Sequence, residues 1–108
     1  MISEIDIKDY KNMNYKQPYN VDEVLQERGE RYGKFTGHAG VTQQLKTFTR
    51  IALAARNKKL DDDQLESLDM IYHKIGRIIN GDPNYADSWI DIAGYAKLFA
   101  DRLEGKSV

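Results

Sequence analysis

In four stretches of this chain, apolar side chains recur every three to four residues, the spacing of one face of an α-helix. The first covers about 21–32, where Val21, Val24, Leu25 and Tyr32 form a stripe, with Asn20 as N-cap and Glu23 three residues on in a capping-box-like start. The second, about 41–57, places Leu45, Phe48, Ile51, Ala52 and Ala55 on one face and ends in the basic residues Arg56, Lys58 and Lys59. The third, about 62–79, carries the cleanest stripe, Leu65, Leu68, Ile71, Tyr72, Ile75, Ile78 and Ile79. The fourth, about 84–104, is expected to bury Tyr85, Trp89, Ile92, Ala93, Ala96, Phe99, Ala100 and Leu103. These patterns predict an all-α, four-helix bundle-like domain over residues 20–108.

The segments between the stripes set the topology. Residues 1–19 keep no period for long and read as an irregular N-terminal arm ending at Pro18. Residues 31–40 hold three glycines together with Tyr32 and Phe35, which predicts a shaped loop and a plausible wall for a flat ring. Asn80-Gly81-Asp82-Pro83 is a stop signal short enough to make helices three and four antiparallel neighbours.

The polar sides are less ordinary. At about 100° per residue, Glu66, Asp69, His73, Arg77 and Asn80 share one ridge of helix three, opposite its apolar stripe. Helix four presents Asp87, Asp91, Gly94, Tyr95, Leu98 and Arg102, a mixed face that is expected to be half-buried against a subunit or a ligand. Asp61, Asp62 and Asp63 open helix three, where acids suit the positive end of the helix dipole.

Charge and composition narrow the chemistry. Sixteen basic and seventeen acidic side chains leave a net charge of −1, so general nucleic-acid binding has no electrostatic footprint. No cysteine is present, which removes disulfides, thiolate nucleophiles and Cys-based zinc sites; two histidines are too few for a His-rich zinc site. The N-terminus has neither a basic segment nor an apolar run, and no stretch is long enough to span a membrane, so the expected compartment is the cytoplasm. Phosphate-loop, dinucleotide-loop, zincin and serine-elbow signatures are missing.

Glu66-x2-Asp69 and Asp87-x3-Asp91 each project two carboxylates from one helix face, and a hairpin can bring the pairs together. Clustered carboxylates repel unless cations neutralise them, and Mg²⁺ takes carboxylate oxygens while sharing its other positions with substrate phosphates. Three segments carry a family resemblance: Glu27-Arg-Gly-Glu-Arg-Tyr-Gly-Lys-Phe35, Asp69-Met-Ile-Tyr-His-Lys-Ile-Gly-Arg-Ile78 and Asp87-Ser-Trp-Ile-Asp-Ile-Ala-Gly-Tyr-Ala96. Over about residues 20–103 the chain resembles the all-α NTP pyrophosphohydrolase superfamily, the MazG-like and dUTPase-like enzymes, and especially its small phage-type members.

The resemblance implies a Mg²⁺-dependent nucleoside triphosphate pyrophosphohydrolase, or a nucleotide-binding relative, yielding nucleoside monophosphate and pyrophosphate. It implies Glu66, Asp69, Asp87 and Asp91 as ligands for Mg²⁺ (Mn²⁺ as the alternative), with Glu66 or Asp69 activating water. It implies Lys74 and Arg77 as phosphate ligands, and Tyr32, Phe35, His38 and Trp89 as the grip on the base. It also implies a homodimer or homotetramer, in a bacterial host cell if the chain is phage-encoded. The chain departs from the family pattern at Asp69, where the family has Glu, in the x3 spacing of the last pair, and in a second helix without carboxylates. The competing expectation is a non-enzymatic phage protein that binds and modulates a host protein.

Overall fold

The computed structural model describes residues 20–106; the expected N-terminal arm, 1–19, lies outside the described residues. The side chain of Asn20 accepts a hydrogen bond from the Asp22 N–H at 2.8 Å, satisfying one of the orphan donors that open α1, Val21–Tyr32. Gly33, at φ +76°, then reverses the chain in a single step, a backbone conformation that side chains with a Cβ rarely adopt. As a result α2, Phe35–Ala55, begins well before the expected residue 41, and the shaped loop expected over 31–40 is instead a two-residue link, Gly33-Lys34. Gly37 and Gly40, which read as loop residues, lie inside the helix.

The same link is tied to the far end of α3, Asp62–Asn80. The Asn80 side-chain amide donates to the carbonyls of Tyr32, at 2.8 Å, and Lys34, at 2.9 Å, while the Asp82 N–H donates to the Arg31 carbonyl. Two connections that are distant in sequence thereby satisfy each other's loose carbonyls. At the opposite end, Asn57 takes the left-handed conformation at φ 50° after α2. Arg102 there reaches across from α4, Ala86–Leu103, to grip Asp61 and Asp63, so the acid run that was expected to serve the helix dipole also anchors α4.

The four-helix, all-α architecture expected from the periodicity is the one observed, with no strand among the described residues. α3 lies at the centre, antiparallel to α2 on one side and to α4 on the other, and α1 leans on α2 and α3. α2 and α4 do not touch. Tyr72 OH meets Thr49 Oγ1 at 2.6 Å in the α2–α3 seam, and Ser67 Oγ donates to the Tyr95 carbonyl at 2.8 Å in the α3–α4 seam.

This open arrangement overturns the expected burial of the stripes. The enclosed side chains are His38, Thr42, Lys74 and Ser88, all polar, and no apolar residue among those described is fully buried. Phe48 is 73% exposed and Trp89 55%, and Ile51, Ile79 and Leu103 are exposed as well. Periodicity reports which face is apolar, and among the described residues no element covers the outer part of that face. Each large apolar side chain stabilises by about 1.5–3 kcal/mol when fully buried, most of which a lone chain forgoes. On the mixed face of α4, Asp91, Tyr95 and Arg102 are half-buried against α3, while Asp87, Gly94 and Leu98 are exposed. Among the described residues, no helix is long and apolar enough to cross a membrane.

Candidate functional site

Where α1, the link and the start of α2 meet the last turns of α3, they enclose an open cavity of about 760 Å³. Tyr32, Phe35, His38 and Arg77, four of the side chains singled out above, all line it. Arg28, Lys34, Thr36 and His73 complete its polar lining, and no carboxylate is among the residues that border it. A pocket with aromatic walls and only basic charges suits an anion that carries a ring.

Each wall is held from behind. The Arg77 guanidinium stacks over the Tyr32 ring, 4.1 Å from its centroid, which fixes the cation at the cavity edge, and among the described residues its fork meets no hydrogen-bond acceptor. His38 is buried, its Nε2 2.9 Å from the His73 carbonyl; a carbonyl only accepts, so neutral His38 carries its proton on Nε2. The two imidazoles meet edge to face, with centroids 4.5 Å apart.

Burial of the His73 ring, reinforced by the adjoining His38 imidazole and by the positive charges of Arg77, Lys74 and Lys46, pushes its pKa down to about 4 from the usual 6.5. The folded state therefore holds this ring neutral in a range where the unfolded chain binds a proton. Its contribution to stability is complete above pH 6.5 and is lost as the pH falls from there to about 4. Because the ring is partly open to water, the loss amounts to about 1 kcal/mol, less than the full shift would give. Urea midpoints measured between pH 7 and 4.5 should show this slope in the wild type and a flatter one in His73→Gln. Asp63, whose carboxylate Arg102 holds below its usual value of 3.8, acts only in a lower window.

The carboxylates are arranged differently from the expectation. Asp91 faces α3, where the Lys74 ammonium lies 3.2 Å from its Oδ2; Lys74 is 8% exposed and its charge is spent on this partner. Lys74 is thus directed into the α3–α4 seam and does not line the cavity. Asp87, one turn earlier on α4, accepts from the Tyr85 hydroxyl at 2.9 Å, and that hydroxyl accepts in turn from Arg31 at 2.7 Å. The Tyr85 ring packs edge to face on Tyr32 at 6.1 Å, so Asp87 is coupled to the cavity wall through two aromatic rings.

Glu66 borders a separate small groove with Asp63, Met70, Tyr95 and Leu98, two turns of α3 away from His73, and Asp69 is half-buried on the same helix. Among the described residues, no three acidic or histidine side chains gather as a ready-made metal cluster. Trp89 is also apart: its indole N–H donates to the Pro83 carbonyl at 2.8 Å, and it does not line the cavity.

Residues not singled out by sequence reasoning are Arg28 and Lys34 in the lining and the Arg31–Tyr85 pair behind it. The signal for the first helix was present, since Arg28, Arg31 and Tyr32 stand three and four apart and so share one side of α1. Tyr85 carried no local signal, because its role depends on α1 packing beside the α3–α4 turn. Comparison of the chain with models of protein families, with curated proteins and with solved structures finds no match, and the reading of its function rests on this geometry.

Proposed function

We propose that the chain binds a nucleoside triphosphate in the basic, aromatic cavity and hydrolyses it to the monophosphate and pyrophosphate. The observation that carries this reading is the convergence of Tyr32, Phe35, His38 and Arg77 on one cavity with no carboxylate in its lining. Tyr32 and Phe35 offer ring faces to the base, and Arg77, Arg28 and Lys34 offer fixed positive charge to the phosphates.

Mg²⁺ ordinarily takes one or two carboxylates and fills its shell with water and substrate phosphates, and Asp87 and Asp91, one turn apart on α4, are the pair that would hold it. When bound there, Mg²⁺ or Mn²⁺ would supply charge neutralisation and polarisation of the phosphoanhydride. Tyr85 and Lys74 orient the two carboxylates, each taking one oxygen and leaving the other free. Glu66 and Asp69 remain the candidates for orienting the attacking water, on the ridge that runs from the cavity along α3. In the reaction water adds to the α-phosphorus, the bond to the β-phosphate oxygen breaks, and the water proton passes to a carboxylate.

A nucleotide panel read by calorimetry and by pyrophosphate release, with and without Mg²⁺, tests the proposal. At least one triphosphate should bind, Arg77→Met should weaken that binding about tenfold or more, and Asp87→Asn with Asp91→Asn should abolish release. Wild-type protein that neither binds nor turns over any member of the panel would sink the reading.

A further inference from the structure

Lys74, which the family resemblance nominates for phosphate, is committed to Asp91 on the α4 side of α3, so its charge is lost to the cavity. α2 supplies another. The seam between α2 and α3 has a fixed antiparallel register. Thr42 packs on Gly76, where an added Cβ would fall 2.6 Å from its hydroxyl, and Thr49 meets the Tyr72 hydroxyl at 2.6 Å. Lys46 lies between those threonines as His73 lies between Tyr72 and Gly76, so the two are level, and the Lys46 charge acts on the His73 ring. Arg50 stands on the same side of α2, one turn and about 6 Å further from the cavity. From Lys34 to Leu60 the chain holds six basic residues and no carboxylate, so nothing on α2 neutralises the pair. By the same register Asp69 is level with Arg50 across the seam, and among the described residues neither Lys46 nor Arg50 enters an ion pair. Like charges one turn apart cost a helix about 0.2–0.5 kcal/mol, and Lys46 is half-buried as well. An anion laid along the two relieves both costs.

We propose that Lys46 and Arg50 hold the β- and γ-phosphates and so set the number of phosphates the site prefers, an inference that rests on the nucleotide reading of the cavity. With the base between Tyr32 and Phe35 and the α-phosphate at Arg77, the tail leaves the cavity past His73 and runs along the cavity side of α2. A triphosphate reaches both cations. A monophosphate ends at Arg77 and reaches neither, so product is held less tightly than substrate. The polar ridge of α3 borders the same track, with Asp69 one turn back from His73, so the tail passes a carboxylate proposed to orient the water. When the α–β bond breaks, pyrophosphate is left on Lys46 and Arg50, and the monophosphate on Arg77.

The experiment is calorimetry in EDTA, where turnover is stopped, with the triphosphates and monophosphates of the nucleotide panel and with inorganic tripolyphosphate. The wild type should hold its preferred triphosphate about tenfold or more tighter than the matching monophosphate. Lys46→Gln and Arg50→Gln should each weaken that triphosphate and tripolyphosphate about tenfold and leave the monophosphate within about twofold. Lys46→Arg should keep the preference, whereas Arg77→Met should weaken both nucleotides. Removing one of two like charges does not weaken the helix, so urea midpoints at or above the wild-type value separate a binding defect from a folding one. Equal wild-type affinity for the two nucleotides, or Gln variants that weaken both alike or neither, would overturn the inference and leave the nucleotide site standing. Tripolyphosphate binding that depends on Lys46 and Arg50, with no nucleotide bound, would remove the nucleoside reading and keep the polyphosphate track. A chain that binds none of the probes removes both.

Discussion

Gly81→Ala should destabilise the protein by about 3 kcal/mol or more. A Cβ at this position would fall inside contact distance of the Arg31 carbonyl oxygen and the Tyr32 backbone, atoms that no side-chain rotation can move aside. Relief requires the α3–α4 turn to part from the α1–α2 link, and that separation removes the hydrogen bonds from Asn80 to Tyr32 and Lys34 and from Asp82 to Arg31. Since Tyr32 walls the cavity and Arg31 helps to hold Asp87 through Tyr85, ligand binding should fall with stability. Gly40→Ala provides the contrast. Its Cβ would meet nothing within 4 Å, the residue lies inside α2, and the substitution should stabilise by about 0.5–1 kcal/mol. Urea unfolding of the two variants at equal protein concentration decides the matter, and similar midpoints would mean that the two connections are not locked together.

The second large effect concerns an asymmetric ion pair. Asp91→Asn should cost about 2 kcal/mol and Lys74→Met under 1 kcal/mol, although each removes the same contact. The Lys74 side chain is 10% exposed and that of Asp91 45%. Removing Asp91 leaves an ammonium in the seam without its partner, whereas removing Lys74 leaves a carboxylate that water can reach. The double variant should therefore be more stable than Asp91→Asn alone, which a double-mutant cycle in urea measures directly. Equal single-variant costs would show that the pair is worth no more than a surface ion pair.

Much of the fold was legible, and the reason differs by element. Asn20 and the stripe through Val24 placed α1 at its observed limits, and the Ile-rich stripe with Asn80-Gly81 placed α3 to within a residue. Both helices have strong local signals at both ends. The start of α2 was hidden because Gly33, Gly37 and Gly40 resemble one another in sequence, and only Gly33 uses its freedom to reverse the chain. The cavity side chains Tyr32, Phe35, His38 and Arg77 were nominated through the family resemblance, with the glycine and aromatic content of 31–40 the only local hint. The Lys74–Asp91 and Tyr85–Asp87 contacts could not, because they depend on the rotational phase of α4 against α3 and of α1 against the turn. Trp89 shows the same limit: its phase on α4 sends it to the Pro83 carbonyl.

The central position of α3 has a bearing on how perturbations add. α2 and α4 share no contact, so a change confined to one is sensed by the other only through a displacement of α3. Substitutions on the outer sides of α2 and α4 should have independent energies, whereas any change on α3 is coupled to both. Amide exchange along α3 would then require the opening of both seams and be the slowest in the chain, and each flanking helix could exchange by its own local opening. A ligand that braces Arg77 and His73 from the cavity side would therefore slow exchange along α3 and leave the local openings of α2 and α4 as they were.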